Sequence, residues 1–323
     1  MKNIAILVPE TAVAEGVTGP RYLFTTANQF LQAAGKEPLF KVQLVGNQKN
    51  VKAQDGVYSI TTDVLLKESK QADLVIVPPI FGDMENAIAL NKDALPWITD
   101  QYKHGAEVAS LCVGAFLLAS TGLLDGKKCS THWAYYNEFK ERFPEVEVVD
   151  GGVITEENGI YSSGGANSLW NLLLYILEKY TDRDTAILAS KYFAIDIDRE
   201  SQAAFMMFTG QKDHSDAEVK KAQEYIEENY QEKITVDELA EKVAVSRRSF
   251  ERRFKQATDN TVIEYLQRVK VEAAKRSFES SRKNITEVMY DVGYSDTKAF
   301  RNVFKKITGL TPVEYRNKYN KDV

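Results

Sequence analysis

Ile285-Thr-Glu-Val-Met-Tyr-Asp-Val-Gly-Tyr-Ser-Asp-Thr-Lys-Ala-Phe-Arg-Asn-Val-Phe-Lys-Lys306 is the stretch on which the reading of the fold turns. It is the second of two copies. Phe250, Phe254, Thr258, Thr261, Glu264 and Tyr265 recur as Phe300, Phe304, Thr308, Thr311, Glu314 and Tyr315, each pair 50 residues apart. Upstream, Ile234-Thr235 pairs with Ile285-Thr286 at an offset of 51, which makes the second copy one residue shorter before its Phe. Such an internal repeat says more than any single motif. Each copy reads as a short helix, with Thr235 or Thr286 as N-cap, then a tight connection (Val243-Ala-Val245 or Val292-Gly-Tyr294). A second helix follows, capped by Ser246 or Ser295. Two short helices about a three- to four-residue turn make a helix-turn-helix unit.

The second helix of each copy divides its faces. Phe250 and Phe254 point inward, as do Phe300, Val303 and Phe304. Outward lie Arg247, Arg248, Glu251 and Arg252 in one copy, and Thr297, Lys298, Arg301 and Lys305 in the other. Arg and Lys on such a helix can reach guanine edges in the major groove, and hydroxyls can read either base. A helical-hairpin solenoid needs at least three repeats and gives no reason for concentrated Arg.

Charge points the same way. Residues 1–232 hold 21 Lys/Arg against 33 Asp/Glu, a net of −12; residues 233–323 hold 20 against 13, a net of +7. An acidic body with a basic tail suggests a polyanion partner. The length of 323 residues allows two domains, and 44% hydrophobic with 27% charged residues excludes collagen, a disulfide miniprotein and a wholly disordered chain. No apolar run approaches the ~20 residues of a membrane span. Met1-Lys-Asn-Ile-Ala-Ile-Leu-Val-Pro9 reads as a first strand rather than a signal peptide. Two cysteines, Cys112 and Cys129, make no disulfide framework, so a cytoplasmic, reduced protein is expected.

The front of the chain alternates strand and helix patterns. Ile4–Val8, Phe40–Val45, Leu74–Val77 and Val108–Leu111 are apolar runs suited to parallel strands covered on both faces. Helices are expected over 22–34 with Pro20 just ahead, and over 114–120, 169–180 and 183–193. Short strands flank a turn at Glu157-Asn-Gly159. This is an α/β layered domain with a parallel sheet. Strand signals stop near Phe193, a linker region follows around Lys212-Asp-His-Ser215, and Ala217–Asn229 is a charged amphipathic helix. The boundary is placed at 212/213.

Cys112 falls between a strand and a helix, with Gly114 letting the chain turn sharply, so an exposed thiol at a helix N-terminus with a lowered pKa is expected. His132 lies 20 residues on. The alternative is that Cys112 is a small buried hydrophobe and His132 a packing or capping residue. Trp133, Tyr135 and Tyr136 could offer cation-π faces to a ligand, or be core. His104 and His214 are isolated. There is no metal-ligand spacing and no phosphate-cradling glycine motif, so neither a metal nor a cofactor is expected.

The stretch from Ile234 to Tyr319, with Ile285 to Lys306 and Gly309-Leu-Thr-Pro-Val-Glu-Tyr-Arg316, resembles the DNA-binding domain of AraC/XylS-family transcription regulators. The resemblance implies seven helices, two helix-turn-helix units held by the helix from Val262 to Glu279, and base contacts by Arg248, Glu251, Arg252, Thr297, Lys298 and Arg301. Lys305, Lys306 and the Thr311-Pro312 helix start suit phosphates instead. Residues 1 to about 195 resemble the PfpI-like branch of the class I glutamine amidotransferase-like superfamily. They do so through Gly19-Pro20, Leu111-Cys-Val-Gly-Ala-Phe116, Gly122-Leu-Leu-Asp-Gly126, Thr131-His-Trp133 and Ser162-Ser-Gly-Gly165. The pairing of the two domains resembles GlxA-like regulators.

These likenesses imply a flavodoxin-like three-layer sandwich with a parallel sheet, followed by an all-α domain. In catalytic branches an acidic residue near the first helix supports the Cys; the aligned position here is Gly16, with Glu15 beside it. A complete hydrolase set is therefore not evident, and Cys112 is a vestigial candidate. The expected function is an effector-responsive transcription regulator, not an enzyme. Its partners are double-stranded DNA, an unidentified small-molecule effector such as a nitrogenous metabolite, a second copy of the chain and RNA polymerase, with no membrane. Effector contacts are expected at Glu15, Cys112, His132 and Ser163. The alternative is a cysteine-dependent hydrolase or amidase with a DNA-targeting tail.

Overall fold

In a computed structural model the described residues are 1–196, 202–212 and 214–320; residues 197–201 and Asp213 of the expected linker lie outside them. They form two compact units, Met1–Gln202 and Ala203–Val323.

The first unit runs β1 (Lys2–Leu7), α1 (Ala14–Ala33), β2 (Phe40–Gly46), β3 (Asn50–Ala53), β4 (Tyr58–Thr61), β5 (Val64–Leu65), β6 (Leu74–Val77), α2 (Met84–Leu90), α3 (Ala94–Lys103), β7 (Glu107–Leu111) and α4 (Ala115–Ala119). It continues with β8 (Lys128–Cys129), α5 (Tyr136–Arg142), β9 (Glu147–Val148), β10 (Ile154–Glu157), β11 (Ile160–Ser163), α6 (Ser168–Tyr180) and α7 (Arg183–Phe193). The seven-stranded sheet has the order β10-β11-β7-β6-β1-β2-β5, parallel except at β10. Its apolar strands are buried because each face has its own core. Leu23, Phe24, Leu172 and Leu173 cover one face, and Ile98, Phe116, Leu117 and Phe139 the other. This is the three-layer α/β sandwich expected from the sequence.

Two local expectations are corrected. The first helix begins at Ala14, so Pro20 lies inside it rather than at its first turn. Gly16 makes the early start possible: a Cβ there would sit 2.3 Å from Pro79 Cδ. The sharp turn at the elbow belongs to Cys112 itself, at φ +54°, whereas Gly114 has an ordinary helical φ of −58°. Gly114 is needed for close approach, since its Cβ would meet the carbonyl oxygens of Val77 and Pro78 at 2.6 Å.

The second unit contains, among the described residues, seven α-helices: α8 (Ala217–Asn229), α9 (Val236–Lys242), α10 (Arg247–Thr258), α11 (Val262–Ser280), α12 (Ile285–Asp291), α13 (Thr297–Thr308) and α14 (Pro312–Tyr319). Residues 206–212 pack with this unit: Phe208 stacks edge-on to Tyr265, Gln223 Nε2 donates to the Gln211 carbonyl, and Lys212 pairs with Glu227.

The repeat is deeper than the aromatic pattern suggests. Val219, Ala222 and Ile226 of α8 join Phe250, Phe254 and Tyr265 in one core. Val271, Ala274 and Phe278 of α11 join Phe300, Phe304 and Tyr315 in the other. Tyr265 Oη donates to Glu227, and Tyr315 Oη donates to Glu279. Thus α11 closes the first core with its front half and opens the second with its back half.

The caps shift the register of the second copy. Thr235 caps α9 in a box with Glu238, but α12 is capped by Asn284 in a box with Glu287, not by Thr286. Asp296, not Ser295, caps α13, and Ser246 makes no side-chain cap bond. From first-helix start to Phe the second copy is therefore one residue longer, not shorter. Its extra residue lies in the turn. Ala244 at φ +55° and Gly293 at φ +75° hold the same place in the two turns.

Candidate functional site

In the second unit the two outer helices present their polar faces to solvent. Phe250, Phe254, Phe300 and Phe304 are all at most 1% exposed, which fixes the opposite face outward. Arg248, Glu251, Arg252, Thr297, Lys298, Arg301 and Lys305 are all exposed. Arg248, Arg252, Lys298 and Arg301 have no ion-pair partner among the described residues. Glu251 and Arg247 pair with one another at 3.5 Å, and Arg247 also reaches Asp237 at 2.8 Å. Arg253, one residue beyond Arg252, is turned aside and held by Asp216 and Glu218. Cations with no internal partner on two equivalent helices form a surface on which an anion meets no prior claim. Thr311 and Pro312 start α14, where a capping box with Glu314 engages the N–H groups of Thr311 and Glu314.

In the first unit the elbow lies at the carboxyl end of β7, where ligand sites of parallel sheets gather. The β7–β11 pairing sets Ser163 opposite Leu111, and the Cys112 N–H donates to Ser163 Oγ at 3.4 Å. Thr131 Oγ1 donates to the Cys112 carbonyl at 3.2 Å. Cys112, Ser163 and Thr131 are thus brought together. His132 is adjacent in sequence, but its Nδ1 accepts from the Ala134 N–H at 3.2 Å, the capping role weighed above. Glu15 is exposed on the first turn of α1, with no hydrogen bond to any of these groups.

The expected exposed, activated thiol is not found. Cys112 is 6% exposed, and burial pushes its thiol up to about 12 despite a hydrogen bond from the Val113 N–H. Burial also lowers His132, which favours the neutral ring. The position expected for a supporting acid, Gly16, is backed against Pro79 with no room for a side chain. Tyr136 is core: it is 7% exposed, and its Oη accepts the Gly151 N–H. Trp133 and Tyr135 remain half-buried beside His132. Cys129, also buried, is a second free thiol rather than a disulfide partner.

One residue of the elbow region carried no signal in the sequence. Gln202 is fully buried, and its Nε2 donates to the Thr131 carbonyl and to Tyr136 Oη, both at 3.2 Å. No group of three or more His, Cys, Asp or Glu side chains among the described residues could hold a metal ion. No helix among them is long and apolar enough to cross a membrane.

Comparison with known proteins follows the same division. Residues 2–179 match the DJ-1/PfpI family, and residues 239–318 match a helix-turn-helix domain. The HTH-type transcriptional regulator ArgR of Pseudomonas aeruginosa is 29% identical over 216 residues, covering 67% of this chain and 65% of its own length. The chain thus spans just under two thirds of that relative. The HTH-type transcriptional regulator GbdR of the same organism is 27% identical over 294 residues, covering 88% of this chain and 77% of its own. An AraC family transcriptional regulator from Pseudomonas putida shares the fold, with a TM-score of 0.51 and 19% identity, over 60% of this chain and 100% of that one.

Proposed function

Because the chain belongs to the DJ-1/PfpI family through residues 2–179 and continues into an AraC-type helix-turn-helix domain, we propose that it is a transcription regulator of the AraC family. In this reading the second unit binds double-stranded DNA in a sequence-specific way, and the first takes a small-molecule effector beside its elbow. The observation that carries it is the tandem of α10 and α13, each exposing unpaired Arg or Lys over a buried Phe pair. Arg248, Glu251 and Arg252 read one major-groove segment, and Thr297, Lys298 and Arg301 the next, about one helical turn away. Lys305 neutralises phosphate and positions the protein without specifying sequence.

The buried thiol of Cys112 and the filled space at Gly16 support a binding role for the elbow over a hydrolase. The regulator works as a homodimer in the cytoplasm and meets RNA polymerase at its promoters.

The test is a binding selection with the full chain and randomised duplex DNA at near-physiological salt. A motif of two short half-elements about ten base pairs apart supports the reading. Bulk, salt-sensitive binding with no motif, with and without candidate effectors, overturns it.

A further inference from the structure

The polar floor beside the elbow is filled by the protein's own amide. Gln202 Nε2 donates to the Gly152 carbonyl at 2.6 Å, besides the Thr131 carbonyl and Tyr136 Oη, while its backbone N–H holds the Gly151 carbonyl at 2.8 Å. Three oxygens thus surround one nitrogen. The fit is incomplete on the other side. Among the described residues, Gln202 Oε1, Ser168 Oγ and Ser130 Oγ are buried without any partner. Native interiors seldom leave such groups unpaired.

The space is made by three glycines. A Cβ on Gly164 would lie 1.8 Å from Gln202 Nε2. One on Gly165 would lie 2.9 Å from Ser168 Oγ and 3.0 Å from Gln202 Oε1, and one on Gly152 would lie 2.7 Å from Ser130 Oγ. The spot that Gln202 fills neighbours the elbow, since Gly164 follows Ser163, which accepts from the Cys112 N–H, and Thr131, whose carbonyl Gln202 holds, donates its Oγ1 to the Cys112 carbonyl. Gln202 is also the last residue of the first unit, and the chain from Ala203 onward belongs to the second.

We propose that Gln202 is a built-in plug in a carboxamide site. A small molecule bearing a primary carboxamide displaces it. The ligand's NH2 takes the oxygens of Thr131, Gly152 and Tyr136, and its carbonyl accepts from the unpaired Ser168 hydroxyl. Displacement frees the residue that leads directly into the DNA-binding unit, so occupancy of the first unit is read out through Gln202. The inference rests on the effector binding beside the elbow proposed above and names its ligand class.

Propionamide, the side chain of glutamine without its backbone, is the probe. Calorimetric titration into the full chain should give a Kd at least tenfold lower for Gln202→Gly than for the unsubstituted protein, whose own amide competes. Gln202→Met, which refills the hollow with an apolar chain, should not bind. N,N-dimethylpropionamide, which lacks the N–H donors, should bind neither protein. Equal affinity of the unsubstituted protein and Gln202→Gly overturns the plug. Equal binding of the dimethyl compound or of methylammonium overturns the carboxamide assignment.

Should Gln202→Gly not fold, the unsubstituted protein still decides. The side-chain amide NMR signal absent from Gln202→Met must shift as propionamide is added, and a signal that stays fixed at saturating propionamide refutes the plug. A DNA selection without a motif alongside competition at Gln202 removes the regulator and keeps the plug. A motif without propionamide binding does the reverse.

Discussion

Arg253 grips Asp216 with both arms of its guanidinium, Nε to Oδ2 at 2.7 Å and Nη2 to Oδ1 at 2.6 Å, while its neighbour Arg252 stands exposed with no ion-pair partner among the described residues. Two adjacent arginines of α10 therefore have different work. Arg253 ties α10 to the start of α8, and Arg252 is the one proposed to meet DNA. Arg252→Ala should weaken binding to the selected site by about 1–3 kcal/mol and relax base preference at one position. Arg253→Ala should leave base preference unchanged and lower the unfolding midpoint followed by helical circular dichroism. Matched losses of specificity in the two variants would contradict this division.

Lys305 tests the other half of the proposed DNA recognition. Lys305→Ala should weaken every duplex to a similar degree and reduce the slope of log affinity against log salt by about one. A loss confined to the selected sequence would reassign Lys305 to base reading.

The Cys112 thiol, pushed up to about 12 by burial, should resist alkylation. With so high a pKa only about one thiol in ten thousand is thiolate at pH 8, against a quarter or so for a free cysteine near 8.5. Iodoacetamide should label Cys112 in the native chain far more slowly than in the unfolded chain, with a rate still climbing at pH 10. A plateau between pH 5 and 8 would restore the nucleophile.

Restoring an acidic side chain at the elbow should not restore chemistry. In Gly16→Asp the new Cβ would fall 2.3 Å from Pro79 Cδ and 3.3 Å from Pro78 Cβ. Overpacking of that kind costs about 1–3 kcal/mol. All three tryptophans, Trp97, Trp133 and Trp170, lie in the first unit, so tryptophan fluorescence follows its unfolding alone. The variant should melt earlier and gain no amidase turnover. An unchanged melt would mean that the wall of Pro78 and Pro79 yields.

Acid should loosen the same unit through Glu107. Burial alone would raise this carboxyl. Hydrogen bonds from Lys179, Tyr180 and Tyr161 outweigh it and hold the group below the ordinary glutamate value of about 4.5. A carboxyl depressed in the folded state contributes stability that is complete above about pH 4.5 and fades as pH falls through its folded value. Glu107→Gln should therefore be less stable than the unsubstituted protein at pH 6, with the gap narrowing toward pH 3. A constant gap across that range would show that packing, not charge, is what the substitution removes.

The central strands were legible in the sequence because Ile4–Val8 and Leu74–Val77 are apolar without interruption, as burial on both faces requires. Helices α10 and α13 were legible because Phe250 and Phe254 recur as Phe300 and Phe304. Helix ends were less so. Asn284 and Thr286, or Ser295 and Asp296, are equally good cap residues by type, and backbone geometry chooses between them. Helices α2 and α3 were missed because one has seven residues and the other carries Pro96 near its start. At the elbow, residue order located Cys112 and left open whether it was exposed or a small buried hydrophobe; its burial, which depends on walls contributed by distant segments, decides for the second. Gln202 had no signal at all. Its place comes from glycines at 164 and 165 leaving room for its side chain, and nothing in residue type or periodicity marks that meeting.

The single helix α11, belonging to both cores of the second unit, makes that unit a caliper with fixed jaws. Adding or removing one base pair between two half-elements turns the second groove by about 35° and displaces it by about 3.4 Å along the axis. A pair of domains on a loose tether would follow such a change, but two cores built on the same nineteen residues have no hinge to do so. If α10 and α13 read the two half-elements as proposed, the spacer length of the target is set by α11 as firmly as the bases are by the outward side chains. On that reading, target sites should tolerate changes of letter between the half-elements, but not of number.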